Sequence, residues 1–346
     1  DLVEDYAEKR IIYGIPYFDY EHNDVTLLQV NAGGTLVNEV PQEVNVVAAW
    51  PGYTRGYSVA YRCSQWLGWD FPLRLNLLRA IKGQHYDVAI SFLEGMPLKM
   101  HAKITEVADR NYSWVHCDLD KDRYETGQFR KGEEILAYNK MDGVICVASD
   151  TAKAFQRRFP VCKSDVKVIY NPIDVEKILR LSSLDFKKTT DEGYFAIAVC
   201  GRLTPPKKLD RVIRLAQRFK EERLPVKIQL IGDGDLRNNL ELLSEKYCVT
   251  EVVKFLGFQS NPYPYIKTAD LLLSTSAFEG FSLVICEAMA LGIPVVSTKT
   301  AGPLEILNND KYGLLCDHDD ESIYQAVKYL YDNPEFFNHY TEMGKL

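Results

Sequence analysis

Residues 278–292 (FEGFSLVICEAMALG) constrain this chain more than any other stretch. An apolar run at 271–275 precedes them and another at 294–297 comes after. The order reads strand, glycine-bearing loop, helix, strand, which is one turn of a parallel α/β sheet. Ser282 stands where the N-cap of a helix over 283–291 belongs. The free N–H groups of such a helix start, with the positive end of its dipole, make an anion site suited to phosphate. Glu279 lies in the loop ahead of the helix and Glu287 more than a turn inside it. A diphosphate bound there would have one acid on either side of it. The plainer alternative is an ordinary crossover helix with solvated glutamates.

The chain is long enough for two such domains, with 346 residues of which 46% are hydrophobic. Its formal net charge of −7 is spread evenly: residues 1–172 hold 20 Lys and Arg against 23 Asp and Glu, and the remainder 21 against 25. Neither half is basic, which argues against nucleic acid as a partner. The eight cysteines are scattered with no CxxC pair, so they read as buried thiols of a reducing cytosol rather than as disulfides or metal ligands. No apolar run is long enough to span a bilayer, and no signal-peptide pattern stands at the start.

Strands are expected at 25–30, 44–49, 88–92, 112–116, 143–147 and 166–170. Helical patterns stand between them, among them one over 62–82 broken at Pro72. Asn171-Pro172-Ile173-Asp174 and the charged segment 185–193 mark a domain boundary, giving domains 1–172 and 173–346. The rhythm then restarts with strands at 195–200, 226–231, 252–256 and 271–275, and a proline-rich turn is expected at 261–264. Two doubly wound domains, facing each other across a cleft, are the expected architecture.

Gly201-Arg202-Leu203 comes directly after the first strand of the second domain, and Lys207 opens the next helix, so two cations stand at the ligand-facing edge. Gly232-Asp233-Gly234 and Gly257 end the next two strands, as plain turns or as places of close approach to a ligand. In the first domain His116 ends its strand and is expected to point into the cleft, with Glu94-Gly95 a weaker counterpart. The helix around Trp66 and Trp69 has two readings, buried core or a surface resting on a bilayer.

Gly201-Arg202-Leu203 with Lys207, Gly232-Asp233-Gly234, Phe255-Leu256-Gly257, and Glu279 and Glu287 at EX7E spacing resemble the retaining glycosyltransferases of family 4, which have the GT-B fold. The resemblance implies a Rossmann-like acceptor-binding domain and, after it, a Rossmann-like domain that binds a nucleotide-diphosphate sugar. It implies no metal and no cofactor beyond that co-substrate, with UDP favoured. Carried over, Glu287 meets the ribose hydroxyls. Arg202 and Lys207 grip the diphosphate with Gly201 and Gly257 nearby, and Gly280, Phe281, Ser282 and Leu283 line its far side. Glu279 faces the donor sugar, and His116 approaches it from the first domain.

The implied reaction moves a hexose or N-acetylhexosamine to a glycan or lipid-linked glycan, in the cytoplasm at the inner face of the cell membrane. The family pattern usually opens with a β-strand and a Gly-Gly-Ala-Glu loop. Here Asp5-Tyr6 stands where the glycines should be and no strand precedes them, which leaves two expectations, a trimmed sequence or a first sheet lacking a strand. Lys208 replaces the glycine after the lysine. Two alternatives stay open: a nucleotide-sugar epimerase of the same fold, and a non-catalytic nucleotide-sugar-binding subunit that stabilises a partner glycosyltransferase.

Overall fold

The computed structural model describes residues 19–33, 40–120, 127–186, 193–335 and 339–340; the segment around Asp5-Tyr6 lies outside them. The chain divides into two compact units, Asp1–Pro172 and Ile173–Leu346.

The first unit holds two parallel sheets among its described residues. One pairs β1 (Thr26–Asn31) with β2 (Asn45–Trp50), and the other runs β3 (Tyr86–Ser91), β4 (Ala108–Val115), β5 (Gly143–Cys146), β6 (Asp165–Val168) in that order. β5 is buried along its whole length. Val144 and Cys146 pack with Val115, Leu98, Tyr138 and Phe155, as expected of a strand covered by helices on its face.

The helical stretch expected over 62–82 is two helices, Arg55–Leu67 and Phe71–Ala80, and the break is not at Pro72. Thr54 starts the first helix by accepting the Tyr57 N–H at 3.2 Å, and Gly68 ends it in the left-handed conformation at φ 67°. Pro72 lies in the first turn of the second helix, where its missing N–H costs nothing. Glycine therefore stops one helix and proline starts the next.

Among its described residues the second unit holds a single six-stranded parallel sheet. Its strands are β7 (Phe195–Cys200), β8 (Val226–Ile231), β9 (Val253–Gly257), β10 (Leu271–Ser274), β11 (Val295–Thr298) and β12 (Leu314–Cys316), in spatial order β12-β11-β10-β7-β8-β9. Side chains alternate between two cores. Ile197 and Val199 of β7, with Leu271 and Leu273 of β10, face Val212, Ile213 and Phe219 on the helix Asp210–Glu221. Ala196, Ala198 and Leu272 face Ile285 and Ala288 on the helix Leu283–Ala290 and Ile178 on Val175–Ser182. Each large apolar side chain so buried contributes roughly 1.5–3 kcal/mol.

The turn expected at 261–264 is instead the entry to a short helix, Tyr263–Lys267, with Pro262 at its N-cap. Prolines at a helix entry replace N–H groups that have no partner there, so a Pro-rich tetrapeptide starts this helix. The eight cysteines are all free, and burial pushes the Cys146 and Cys316 thiols up to about 12. Cys248 is exposed, which corrects the reading of every cysteine as a core residue. Among the described residues no helix is long and apolar enough to cross a membrane.

Candidate functional site

The strand order of the second unit reverses between β7 and β10, which are hydrogen-bonded neighbours. The chain leaves β7 for β8 on one side and leaves β10 for β11 on the other. The loops leaving these two strands diverge and open a crevice at their carboxyl ends, where ligands of such sheets bind. Gly201-Arg202-Leu203 begins one of these loops, and Glu279 lies in the other.

Glycines let the first loop pack backbone to backbone. A Cβ on Gly232 (φ 137°) would lie 2.0 Å from the Gly201 carbonyl oxygen, and one on Gly234 2.7 Å from that of Leu203. The contact is closed by Leu203 N–H donating to the Asp233 carbonyl at 2.9 Å and Leu236 N–H to the Leu203 carbonyl at 3.0 Å. Gly257 accepts the Gly232 N–H at 2.8 Å and lies beside Arg237. Gly232 and Gly234 thus serve close backbone packing, and Gly257, the last residue of β9, meets Gly232 and Arg237.

Lys207 closes the short 3-10 turn Pro205–Lys207, and Lys208 comes next in the left-handed region at φ 50°. That conformation is easiest for glycine, so the lysine at this position carries a backbone cost. The Lys207 ammonium forms an ion pair with Glu279 Oε1, which also accepts the Ser276 hydroxyl at 2.9 Å. Two further hydrogen bonds stitch the same two loops together. Thr275 Oγ1 donates to the Lys207 carbonyl at 2.9 Å, and Ala277 N–H to the Pro206 carbonyl at 2.8 Å. Arg202 is half-buried and lines a small pocket with Gly201, Lys207, Ser274, Ser276 and Val284. Lys207 and Glu279, which carry separate roles in the sequence pattern, are therefore bound to each other.

Ser282 has the extended backbone of an N-cap, but its hydroxyl makes no capping hydrogen bond, and the first turn carries no acidic residue. Among the described residues the amides of Ser282 and Leu283 meet no acceptor. The helix start thus has no side-chain cap of its own, a geometry that can accept an anion. Phe281, Ser282 and Leu283 are buried. Gly302 lets the helix Ala301–Ile306 abut this loop: a Cβ there would lie 2.9 Å from the Gly280 carbonyl oxygen. Glu287, only 1% exposed, accepts the Tyr263 hydroxyl at 3.3 Å. Sequence reasoning misses Tyr263 and Ser276, since no motif marks either; a hydroxyl within three residues of Glu279 is the one local signal for Ser276.

In the first unit His116 does stand at the end of β4, but its ring does not project outward. It is 2% exposed and packs on Phe92 and Trp114, with ring centroids 5.3 and 6.1 Å away. Phe92, just past the neighbouring strand β3, and Trp114 of β4 itself account for that burial. Its backbone N–H donates to the Glu94 carboxylate at 2.8 Å, itself buried, which joins the two candidates of this unit.

Residues 21–177 match the family described as Glycosyltransferase Family 4, and residues 182–346 match Glycosyl transferases group 1. A curated relative from Campylobacter jejuni, N-acetylgalactosamine-N,N'-diacetylbacillosaminyl-diphospho-undecaprenol 4-alpha-N-acetylgalactosaminyltransferase, is 29% identical over 61% of this chain and 56% of its own length. An uncharacterized glycosyltransferase of Methanocaldococcus jannaschii is 30% identical over 64% of this chain and 56% of its own. The chain thus spans a little over half the length of these relatives. The crystal structure of HepE from Anabaena in complex with UDP-glucose superposes with a TM-score of 0.73 at 20% identity, covering 99% of this chain and 90% of that one, which shows the fold. With the Family 4 and group 1 domains in succession on a GT-B fold, the chain belongs to the glycosyltransferases.

Proposed function

We propose that this protein is a retaining, metal-independent glycosyltransferase. It would transfer a hexose or N-acetylhexosamine from a nucleotide-diphosphate sugar, UDP favoured, to a glycan or lipid-linked glycan of the cell envelope. The observation that carries this reading is the junction of β7 and β10, where Arg202, Lys207 and the uncapped start of the helix Leu283–Ala290 border one crevice with Glu279. Support for the donor comes from HepE, whose structure holds UDP-glucose, and support for the acceptor from the C. jejuni relative, named for a diphospho-undecaprenol substrate.

In this reading the bond between the anomeric carbon and the diphosphate oxygen breaks while the acceptor hydroxyl attacks from the same face, and the leaving phosphate takes the acceptor proton. The developing negative charge is met by Arg202, Lys207 and the amides of Ser282 and Leu283, the largest catalytic contribution available here. Glu279 holds Lys207 in place and faces the sugar. Glu287, set by Tyr263, takes the ribose hydroxyls. His116 is assigned to the first domain's share of the chemistry through the family resemblance alone, its ring being buried against Phe92 and Trp114.

The test is nucleotide-sugar binding and transfer by purified protein, compared with Arg202→Ala and Glu287→Ala, with and without EDTA. Loss of donor affinity in both variants and EDTA-insensitive transfer are expected. Unchanged affinity in both sinks the assignment. Product formed without acceptor points to an epimerase, and donor binding without turnover points to a partner subunit.

A further inference from the structure

The turn between the helices Arg55–Leu67 and Phe71–Ala80 carries an apolar surface that the core does not use. Trp66 is 80% exposed, Leu67 76%, Phe71 57% and Trp69 54%, so the buried-core reading of this stretch does not hold. The inward faces of the same helices, through Tyr57, Ala60, Leu73 and Leu77, already pack on Trp50. A single exposed aromatic needs no explanation, but four large apolar side chains flanking one turn do.

The charge along these two helices is mainly basic. Between residues 53 and 82 the basic side chains are Arg55, Arg62, Arg74, Arg79 and Lys82, and the one acid is Asp70, in a chain whose net charge is −7. Arg55, Val59, Arg62 and Trp66 recur at three- and four-residue steps along one face of the first helix, and all are exposed. The nearby carboxylates are paired, Glu106 with Arg74 at the surface and Asp70 and Glu133 with lysines. Asp70 accepts from Ser64 at 2.5 Å and from Lys103 at 2.8 Å, and Glu133 is held by Lys99 at 3.2 Å and Lys103 at 3.6 Å. Arg130, whose Nε lies 3.4 Å from Glu133, brings its guanidinium to the apex, where a Cβ on Gly68 would lie 2.1 Å from its Nη1.

We propose that this tip docks the first unit on an anionic bilayer. Trp66, Leu67, Trp69 and Phe71 enter the interfacial layer while Arg55, Arg62 and Arg130 meet lipid phosphates. A second copy of the chain fits the same surface less well. Symmetric pairing would set one basic rim against another, and a helix–helix turn offers little of the roughly 1,200 Å² that a stable protein interface buries. The inference stands apart from the donor site, whose residues belong to the second unit.

The experiment is co-sedimentation of the full chain with vesicles of phosphatidylcholine alone and of phosphatidylcholine mixed with phosphatidylglycerol. The mixed vesicles are expected to bind the protein in a salt-sensitive manner, with a blue shift of tryptophan fluorescence that shrinks in Trp66→Phe. Trp66→Ser with Leu67→Ser is expected to weaken binding by at least about tenfold, and Arg55→Gln with Arg62→Gln severalfold. Unchanged melting temperature and donor affinity in these exposed-residue variants separate this outcome from misfolding and from any failure of the donor assignment. Three results would overturn the proposal: no dependence on phosphatidylglycerol, equal binding by wild type and both variants, or self-association in lipid-free buffer that Trp66→Ser with Leu67→Ser abolishes.

Discussion

The ammonium of Lys207 is paired with the carboxylate of Glu279, 72 residues further along the chain, and the two side chains are unequally shielded, 24% exposed on the lysine and 8% on the glutamate. Removing either partner should therefore not cost the same. Lys207→Met leaves a buried carboxylate uncompensated, whereas Glu279→Gln leaves an ammonium that reaches water. Lys207→Met is expected to lose about 1–3 kcal/mol more than Glu279→Gln, and Glu279→Gln added to Lys207→Met should restore part of the loss. Urea denaturation of the two single variants and the double variant measures this; equal losses would mean the pair is not held as described.

The Tyr263 hydroxyl donates to the buried Glu287 carboxylate at 3.3 Å. Tyr263→Phe is expected to cost no more than about 1 kcal/mol of stability, because the bond is long, but to lower donor affinity severalfold by freeing the carboxylate to reorient. Calorimetric titration with UDP-sugars beside a thermal melt separates the two effects. A fall in melting temperature with unchanged affinity would give Tyr263 a structural role alone.

Gly232→Ala places a Cβ 2.0 Å from the Gly201 carbonyl at a φ of 137°, while Gly83→Ala meets nothing within 4 Å at a φ of 73°. The first is expected to cost about 2 kcal/mol or more, through backbone strain and a shifted Gly201–Leu203 loop. The second should cost only about 1 kcal/mol. Donor affinity should fall with Gly232→Ala and stay constant with Gly83→Ala. Thermal melts and donor titrations of the two variants measure both effects.

Acid should destabilise the first unit through two carboxylates. Burial alone would raise Asp70, but hydrogen bonds from Lys103 and Ser64 outweigh it and hold the carboxyl below its ordinary value. Glu133 is likewise lowered against burial, by the Arg130 backbone amide and by Lys99. A depressed folded-state value gives stability that is fully present above the ordinary carboxylate range near ~4 and is lost as pH falls through the folded value. Stability of the wild type should drop below that range more steeply than that of Asp70→Asn, as tracked by urea midpoints across acidic pH.

Much of the second unit is legible in its residues because parallel strands covered on both faces are continuous apolar runs, as at 195–200 and 226–231, and because loop glycines punctuate them. The EX7E pair is local, so its placement on one loop and one helix is legible too. What is not legible is distant or conformational. The Lys207–Glu279 contact depends on β10 pairing beside β7, which no spacing reveals. The helix break lies at Gly68 rather than Pro72 because a proline breaks a helix only in its interior, and the letters alone do not say which turn it occupies. The burial of His116 depends on Phe92, just past a neighbouring strand. Solvated aromatics such as Trp66 look the same as core aromatics in a string of letters.

The adjacency of β7 and β10 has a consequence for assembly. β8 and β9 lie between β7 and β10 in the chain, so the loop bearing Glu279 is synthesised only after both of them. A nascent chain that ends at β9 therefore carries the Lys207 loop without its partner carboxylate.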